Sequence, residues 1–430
     1  MDLKMLSDGF VEEGKSLADF SETIKKLSQD THVVKTTPIL LKFISSCAVG
    51  TFADKAKLEG KKAFVVLKPE LLDEYLGMTS FFKVGKVLLE DLGNDQLIEE
   101  LDNTTQLVAI VDDEKYLIGQ SAMPQLLKLL SLGGSMMVNR ASLFRNLQIA
   151  DAARTKVTEG KIKNLSFVVR EGNCGNGKPI RKVVSVFANY FSLSNQYNLV
   201  DVCKYLTTKG ATFTRYKIST EYTEVLCEFP AVEGVIPGIA IITSDTGFCS
   251  YTTMLTLRVG ETYSIYKKLA RKHTSEITYE DSLADVKELL AEMKTATGNI
   301  TKLSNVYLPA VKDVDISTEE GSALNYEETK KALDKLVSAI CDSLPAKTRK
   351  GLVRLVCDEV ESDRKYSVMD LVISCLSLPE KAMSFGVDKE DITDENEDEK
   401  KEKKVHPYLL DVLRENCGKV ADTCCKTLKI

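Results

Sequence analysis

Three short motifs contain residues that could carry out chemistry. The first, Gly172-Asn-Cys-Gly-Asn-Gly177-Lys178, has the glycine and lysine spacing of a phosphate-binding P-loop. A P-loop continues with Ser or Thr, which binds magnesium, and then with a helix whose amides face the phosphates. Here Pro179 and a β-like stretch follow instead, and Asn-Gly steps are typical of tight turns. We therefore interpret the motif as a glycine-rich hairpin loop rather than a nucleotide site.

The second motif is Asp245-Thr246-Gly247, which follows the apolar run Gly238–Ile242. Aspartic proteases hold a pair of carboxylates that share one proton after such a strand. A second aspartate would have to come from another copy of the chain, and Phe248-Cys249-Ser250-Tyr251 stands where small apolar residues are usual. Ser-Asp-Thr-Gly also fits a β-turn with Asp at its start and Gly at its end, and we favour this interpretation.

The third candidate is a thiol nucleophile, Cys174 or Cys249, with His273 as the base, because a thiolate needs a nearby proton acceptor. A buried or idle cysteine is the more common case. The eleven cysteines are scattered from Cys47 to Cys425 without a regular framework, and we interpret them as reduced thiols. With three histidines and no Cys-x-x-Cys pair, the sequence predicts neither a metal site nor a cofactor.

These motifs lie in a chain of 430 residues, which is long enough for two or three domains. Its composition, 43% hydrophobic and 28% charged, is that of a globular protein. No stretch approaches the roughly eighteen apolar residues of a membrane span, and the start, Met1-Asp2-Leu3-Lys4, lacks the plan of a signal peptide. We expect a cytoplasmic protein without a membrane partner.

Apolar periodicity predicts the elements that position the motifs. A helix over 10–28 and a buried strand over 106–112 are part of a mixed α/β pattern in residues 1–150. From about residue 164, β-branched and aromatic residues alternate with polar ones. This alternation predicts strands at 164–170, 181–192, 211–218, 222–229, 237–243 and 249–259. Apolar residues three and four apart then predict helices at 281–297, 325–343, 346–361 and 366–377.

The predicted fold class is α+β, with a mixed α/β N-terminal part, a central, largely antiparallel β-rich domain and a helical C-terminal part. A run of Asp, Glu and Lys predicts a flexible charged linker. The final helix, 406–427, carries apolar residues on one side, so it should dock on its own chain or on a neighbouring subunit. The predicted parts are the N-terminal domain 1–150, the β-rich core 151–275, the helical domain 276–387, the linker 388–404 and the amphipathic helix 405–430.

The distribution of charge is uneven along the chain. The net charge is −6 overall, but residues 151–275 contain 17 Lys and Arg against 10 Asp and Glu, a net charge of +7. Two segments of this region alternate aromatic residues with Lys and Arg: Phe213-Thr-Arg215-Tyr216-Lys217 and Tyr263–His273. Proteins that bind single-stranded nucleic acid stack bases on such rings and pair phosphates with such cations. The predicted nucleic-acid-binding residues are Arg215, Tyr216, Lys217, Tyr266, Lys267, Lys268, Arg271 and Lys272.

An alternative interpretation applies to the same residues. Tyr and Phe at alternating strand positions are more often core residues. A segment of charge +7 can also be neutralised by the acidic C-terminal part of the same chain.

Residues 182–297 also resemble a known family. Val186-Phe187-Ala-Asn-Tyr190-Phe191-Ser-Leu193, followed by a helix over 198–206 and Lys209-Gly210, looks like that family's strand, Asn/Arg-x-Tyr element and helix ending before glycine. Pro237-Gly-Ile-Ala-Ile-Ile-Thr-Ser244-Asp245-Thr-Gly247-Phe-Cys-Ser250-Tyr251 resembles the family's apolar strand and Asn-Ser-x-x-Gly-x-x-Ser word, with a later Arg at 258. His273 and the helix after it also fit.

The family so resembled is the phage/plasmid-like family named domain of unknown function 932. Two departures stand out: Thr243 replaces the family's usual Asn, and Val259-Gly260-Glu261 replaces its Cys-x-Asn-Gly word. The resemblance implies a chain encoded by a phage, prophage or plasmid, located in the host cytoplasm if phage-encoded, and it implies no catalytic mechanism.

Two functions of different classes follow as expectations. The first is a non-enzymatic protein that binds single-stranded DNA or RNA in replication or recombination. The second is a structural or assembly protein of a phage or mobile element, a homo-oligomer that self-associates through its C-terminal helix. An enzyme of unrecognised type is the third alternative, because a large pocket is not visible in a sequence.

Overall fold

The computed structural model describes residues 3–6, 9–36, 42–46, 106–112, 114–132, 149, 152, 164–173, 179–188, 191, 193, 195–272, 276–304, 306, 326–344, 346–359, 367–384 and 407–429. After a short 3-10 helix at Leu3–Leu6, the strands are β1 Val11–Gly14, β2 Thr31–Thr36, β3 Lys42–Ser46, β4 Gln106–Val111, β5 Glu114–Ile118, β6 Leu165–Asn173, β7 Pro179–Phe187, β8 Thr212–Ser219, β9 Thr223–Glu228, β10 Ile236–Thr243, β11 Tyr251–Val259 and β12 Thr262–Arg271. The helices are α1 Leu17–Asp30, α2 Met123–Leu129, α3 Tyr197–Thr208, α4 Tyr279–Leu303, α5 Tyr326–Ile340, α6 Ala346–Asp358, α7 Val368–Leu376, α8 Leu378–Ser384, α9 Pro407–Gly418 and α10 Val420–Leu428.

The strands form two six-stranded sheets. Sheet 1 has the order β1-β8-β9-β10-β11-β12, and every neighbouring pair in it is antiparallel. Sheet 2 has the order β2-β6-β7-β5-β4-β3 and is antiparallel except for the β5–β7 pair. The predicted α+β class with a large antiparallel sheet is therefore confirmed.

Helices cover one face of sheet 1 and share a core with it. Because side chains alternate along a strand, every second residue of β9 to β11 faces this core. Its fully buried members include Phe20 of α1, Leu206 of α3, Leu289 of α4, Ile239 and Leu255. A second core lies between sheet 2 and α2, around Phe167 and Leu126.

Helix α4 begins at a strong start signal. The Thr278 hydroxyl accepts a hydrogen bond from the Asp281 backbone amide, and the Asp281 carboxylate accepts one from the Thr278 amide. This reciprocal capping box satisfies two amides that have no partner within the helix, and it fixes where α4 starts beside β12.

The C-terminal helices belong to the core of sheet 1. Leu413 and Cys417 of α9 and Val420 of α10 are buried in the same cluster as Leu255. Gly418 packs directly on the backbone of β12. Own-chain docking, one of the two alternatives for the final helix, is therefore observed.

The structure refines the N-terminal prediction. Residues 11–14, predicted as part of a helix over 10–28, form β1 because they pair with β8. The helix starts at Leu17, where the Ser16 hydroxyl accepts from the Asp19 amide. The predicted boundary between 150 and 151 falls within sheet 2, because β6 and β7 pair with strands that precede it. The predicted linker 388–404 lies outside the described residues.

Candidate functional site

The eight residues predicted to bind nucleic acid do not form one surface. Seven of them lie on β8 and β12, and Lys272 directly follows β12. Three strands separate β8 from β12, so roughly 19 Å lies between the two groups at a strand spacing of about 4.8 Å. Lys267 and Arg271 bond to α4, on the helix-covered side of sheet 1. Lys268, which lies between them, points the other way and pairs with Glu415. Strand alternation thus divides the predicted site between two faces.

The two predicted stacking rings are buried. Tyr216 packs against Phe20 with ring centroids 5.3 Å apart, and its hydroxyl donates to Glu12 Oε1 at 3.2 Å. Tyr266 donates to Asp422 Oδ2 at 2.7 Å. Burial, and then the nearby carboxylate, raises the pKa of Tyr216 to about 12 and also raises the pKa of Tyr266. Neither ring presents a face on which a base could stack.

Most of the predicted cations are paired with carboxylates of their own chain. Hydrogen bonds to these carboxylates raise the pKa values of Lys217, Lys267 and Arg271. Lys272 is exposed. The ion pairs are Arg215 with Glu224 at 3.4 Å, Lys217 with Glu13 at 2.8 Å, Lys267 with Glu288 and Glu292 at 2.8 Å each, Lys268 with Glu415 at 3.6 Å, and Arg271 with Asp285 at 2.7 Å and Asp281 at 3.3 Å.

The spacing of the acidic residues in α4 is a sequence signal for these ion pairs. Asp281, Asp285, Glu288 and Glu292 follow one another at steps of four, three and four residues. Such spacing places all four carboxylates on one side of a helix. That side of α4 faces β12, and it meets the cations that sequence composition assigned to nucleic acid.

Asp245 does not form the carboxylate pair of an aspartic protease in the described part of the chain. Its carboxylate pairs with the buried Arg170, 3.1 Å from Nη2. The neighbouring Ser244 hydroxyl accepts from the Thr246 and Phe248 amides and donates to the carbonyl of Glu221. These bonds make a turn that is tied to the β8–β9 connection, in agreement with the turn interpretation.

The glycine-rich motif joins two strands that pair directly. Strands β6 and β7 are antiparallel neighbours with Asn173 opposite Pro179. The hairpin interpretation agrees with this pairing. Residues 174–178 lie outside the described residues.

Cys249, the candidate nucleophile that the structure describes, is a poor one. Burial, and then the charge of Asp245, raises the pKa of Cys249 to about 11. Burial also raises the pKa values of Cys375 and Cys417. Cys174 and His273 lie outside the described residues. A thiolate at neutral pH is therefore disfavoured at Cys249.

One cleft of about 230 Å³ lies between the start of α3, strands β10 and β11, and the start of α4. Its lining includes Gln196, Thr243, Tyr251 and Ser282. This volume includes open solvent, and the enclosed space is only about 10 Å³, close to the room that one water molecule needs. The cleft is therefore too small for an organic substrate. In the described ranges no group of three His, Cys, Asp or Glu side chains is placed to hold a metal ion.

A basic surface that sequence composition did not single out lies on α6. This helix contains Lys347, Arg349, Lys350 and Arg354 but only one acidic residue, Asp358. Leu352 and Val356 are buried in the core, whereas the stripe Lys347, Lys350 and Arg354 is exposed. We call these three residues the α6 stripe.

No family model matches the chain, and no curated protein or solved structure matches it either. The resemblance of residues 182–297 to a phage and plasmid family stays a prediction. Within the part of the chain that the structure describes, no helix combines the length and apolar character needed to cross a membrane.

Proposed function

We propose that the chain is a non-enzymatic nucleic-acid-binding protein of a phage or other mobile element, and that the α6 stripe contacts the phosphate backbone. The observation that carries this proposal is the charge of α6, whose thirteen residues hold four cations and one carboxylate. This site replaces the surface predicted on β8 and β12, where most of the cations pair with carboxylates of the same chain.

The three side chains of the α6 stripe are exposed, and the ion pair that Arg354 makes is weak. The Arg354 side chain is 83% exposed, and its partner Asp358 is 62% exposed at 3.5 Å. An ion pair between such exposed groups contributes only about 0–1 kcal/mol, so a phosphate can replace Asp358 at little cost. From Lys347 to Arg354, a difference of seven positions, the stripe extends roughly 10 Å along the helix, a length that spans successive phosphates of a strand.

The position of the cations in α6 also supports phosphate binding. The first turn contains no acidic residue, and Lys347, Arg349 and Lys350 all lie near the N-terminus. The helix dipole places partial positive charge there, so acidic residues would favour helix stability. Cations at this end destabilise the helix, but they attract an incoming phosphate. The N-terminal amides of a helix attract the same group.

The other two classes have less support. Burial raises the pKa of Cys249, one of the two candidate nucleophiles, and the candidate acid Asp245 is held by Arg170. The assembly hypothesis requires an apolar face on the final helix, but α9 and α10 bury theirs in the core of sheet 1. The exposed large apolar residues in the described ranges are Val11, Leu355 and Met383, which lie on separate elements. A homo-oligomer stays a prediction.

The test is fluorescence anisotropy of labelled single- and double-stranded oligonucleotides with the full chain at two salt concentrations. The variant K347Q/K350Q/R354Q should bind about tenfold more weakly at low salt, with the slope of log K against log salt reduced by about 2, since each phosphate contact contributes about 0.7–0.9.

The matched control is K25Q/K287Q/K294Q, which removes three exposed lysines from α1 and α4 and should bind like the wild type. A third variant, R215Q/K217Q/K268Q, reports on the surface predicted from the sequence. Equal losses in the α6 and control variants would contradict the assignment to α6. Absence of binding at micromolar protein in low salt would refute the proposed function.

A further inference from the structure

A buried cationic site lies where the turn after β10 meets sheet 2. Thr31, Arg170 and Lys182 are direct neighbours across β2, β6 and β7. Arg170 is only 1% exposed and Lys182 only 5%. Lys182 donates through Nζ to the carbonyl of Leu6 at 2.7 Å. Its ammonium group is therefore buried on a strand next to that of Arg170.

Arg170 uses only part of its hydrogen-bonding capacity. Both carboxylate oxygens of Asp245 contact the same nitrogen, Nη2, at 3.3 and 3.1 Å. Nε and Nη1 are buried and have no hydrogen-bond partner. A guanidinium normally binds an oxyanion through two parallel N–H groups, either Nη1 and Nη2 or Nε and Nη2. Asp245 contacts only Nη2, so one nitrogen of each pair has no partner.

The unpaired groups around Arg170 share one chemistry. Thr31 Oγ1, on the cross-strand neighbour of Arg170, is also buried without a partner. Hydroxyl and guanidinium groups all donate hydrogen bonds, and buried donors are seldom left unpaired. The missing partner is therefore an acceptor, and beside a buried guanidinium an anionic acceptor is favoured.

We infer that Arg170 and Thr31 form a binding site for a small oxyanion, of the phosphate or carboxylate type. The anion bonds to Nε or Nη1 of Arg170 and to the Thr31 hydroxyl, while Asp245 holds Nη2. Access is past Asp245, which is 11% exposed and lies on the turn. This inference is independent of the function proposed for α6.

The test is isothermal titration of the full chain with sodium phosphate and, separately, sodium acetate, against sodium chloride at matched ionic strength. T31V removes one donor and keeps a β-branched side chain, and it should weaken oxyanion binding by about tenfold, as expected for one lost hydrogen bond to a charged group. D245N removes the competing negative charge but keeps an acceptor for Nη2, and it should tighten binding. R170Q should abolish binding. If R170Q does not fold, T31V and D245N decide the matter, since both retain the guanidinium.

The two titrants distinguish the sources of the oxyanion: stronger binding of phosphate indicates a phosphorylated ligand, and stronger binding of acetate indicates a carboxylate. The control variant K25Q/K287Q/K294Q should bind both anions like the wild type. Loss of binding in that variant, or unchanged binding in both T31V and D245N, would overturn the inference. The absence of saturable heat in the wild type and in D245N would overturn it too, because the unpaired donors would then be hydrated.

Discussion

Replacing Gly418 by alanine tests how the C-terminal helices dock. Gly418 ends α9 and lies against β12, the last strand of sheet 1. A Cβ atom at this position would lie 2.6 Å from the Tyr266 backbone nitrogen and would also meet the carbonyl group of Ile265. The obstacle is backbone, which no rotamer change can move, so α9 would have to shift away from the sheet.

The magnitude follows from two opposing terms. Overpacking a well-filled contact costs about 1–3 kcal/mol, and the shift also loosens the buried Leu413 and Cys417. Alanine is preferred over glycine in a helix by about 1 kcal/mol, an advantage that is smaller at a helix end. We expect G418A to destabilise the fold by about 1–2 kcal/mol.

Gly298 supplies a matched control. It lies within α4, and a Cβ atom there would have no neighbour within 4 Å. The same substitution, G298A, should stabilise the fold by about 0.5–1 kcal/mol.

The assay is urea denaturation followed by circular dichroism at two protein concentrations. Docking within one chain predicts unfolding free energies that do not depend on concentration, whereas docking on a partner copy would make them rise with concentration. If G418A proves as stable as G298A, the close packing of α9 on β12 is wrong.

Two further predictions concern the junction of α4 with β12. In a double-mutant cycle of R271Q and D285N, we expect a coupling energy of about 1 kcal/mol, because the pair is bidentate but Arg271 is 38% exposed. The R271Q variant should bind nucleic acid like the wild type. A coupling energy of zero would mean that the Arg271 cation is free for another role. Hydrogen bonds from the Thr278 hydroxyl and amide lower the pKa of Asp281 below its usual 3.8, so the capping box stabilises the fold above the unfolded-state pKa, and this stabilisation is lost as the pH falls through the lower folded-state pKa. D281N should therefore flatten the fall in melting temperature in acid, and an unchanged acid profile would contradict this role.

Local sequence patterns were sufficient for much of the fold. Alternation of apolar and polar residues predicted β6 to β11, and the spacing of three and four predicted α4 to α7, because burial on one side imposes the period of the element itself. The same patterns missed β12, where basic residues in Tyr263–His273 masked the alternation. They also missed β1, whose four residues form a strand only because β8 is there to pair with.

The candidate site was less accessible to sequence reasoning. Counting charge over long segments made residues 151–275 basic and hid the cations of α6 within a C-terminal part of net charge −9. Composition also could not tell that Tyr216 and Tyr266 are buried, since a strand residue faces core or solvent according to what packs on each face.

The sequence by itself determined the class of the fold, the type of most elements and the turn at Asp245, all of which depend on neighbours within a few residues. Only the tertiary structure decided which charges remain available. Three ion pairs show this: Arg271 with Asp285, Lys268 with Glu415, and Arg170 with Asp245. Each pair joins two different elements of the fold, so neither partner is visible from the residues beside the other. Whether a cation is neutralised depends on a distance of a few ångströms, and chain folding, not composition, sets that distance.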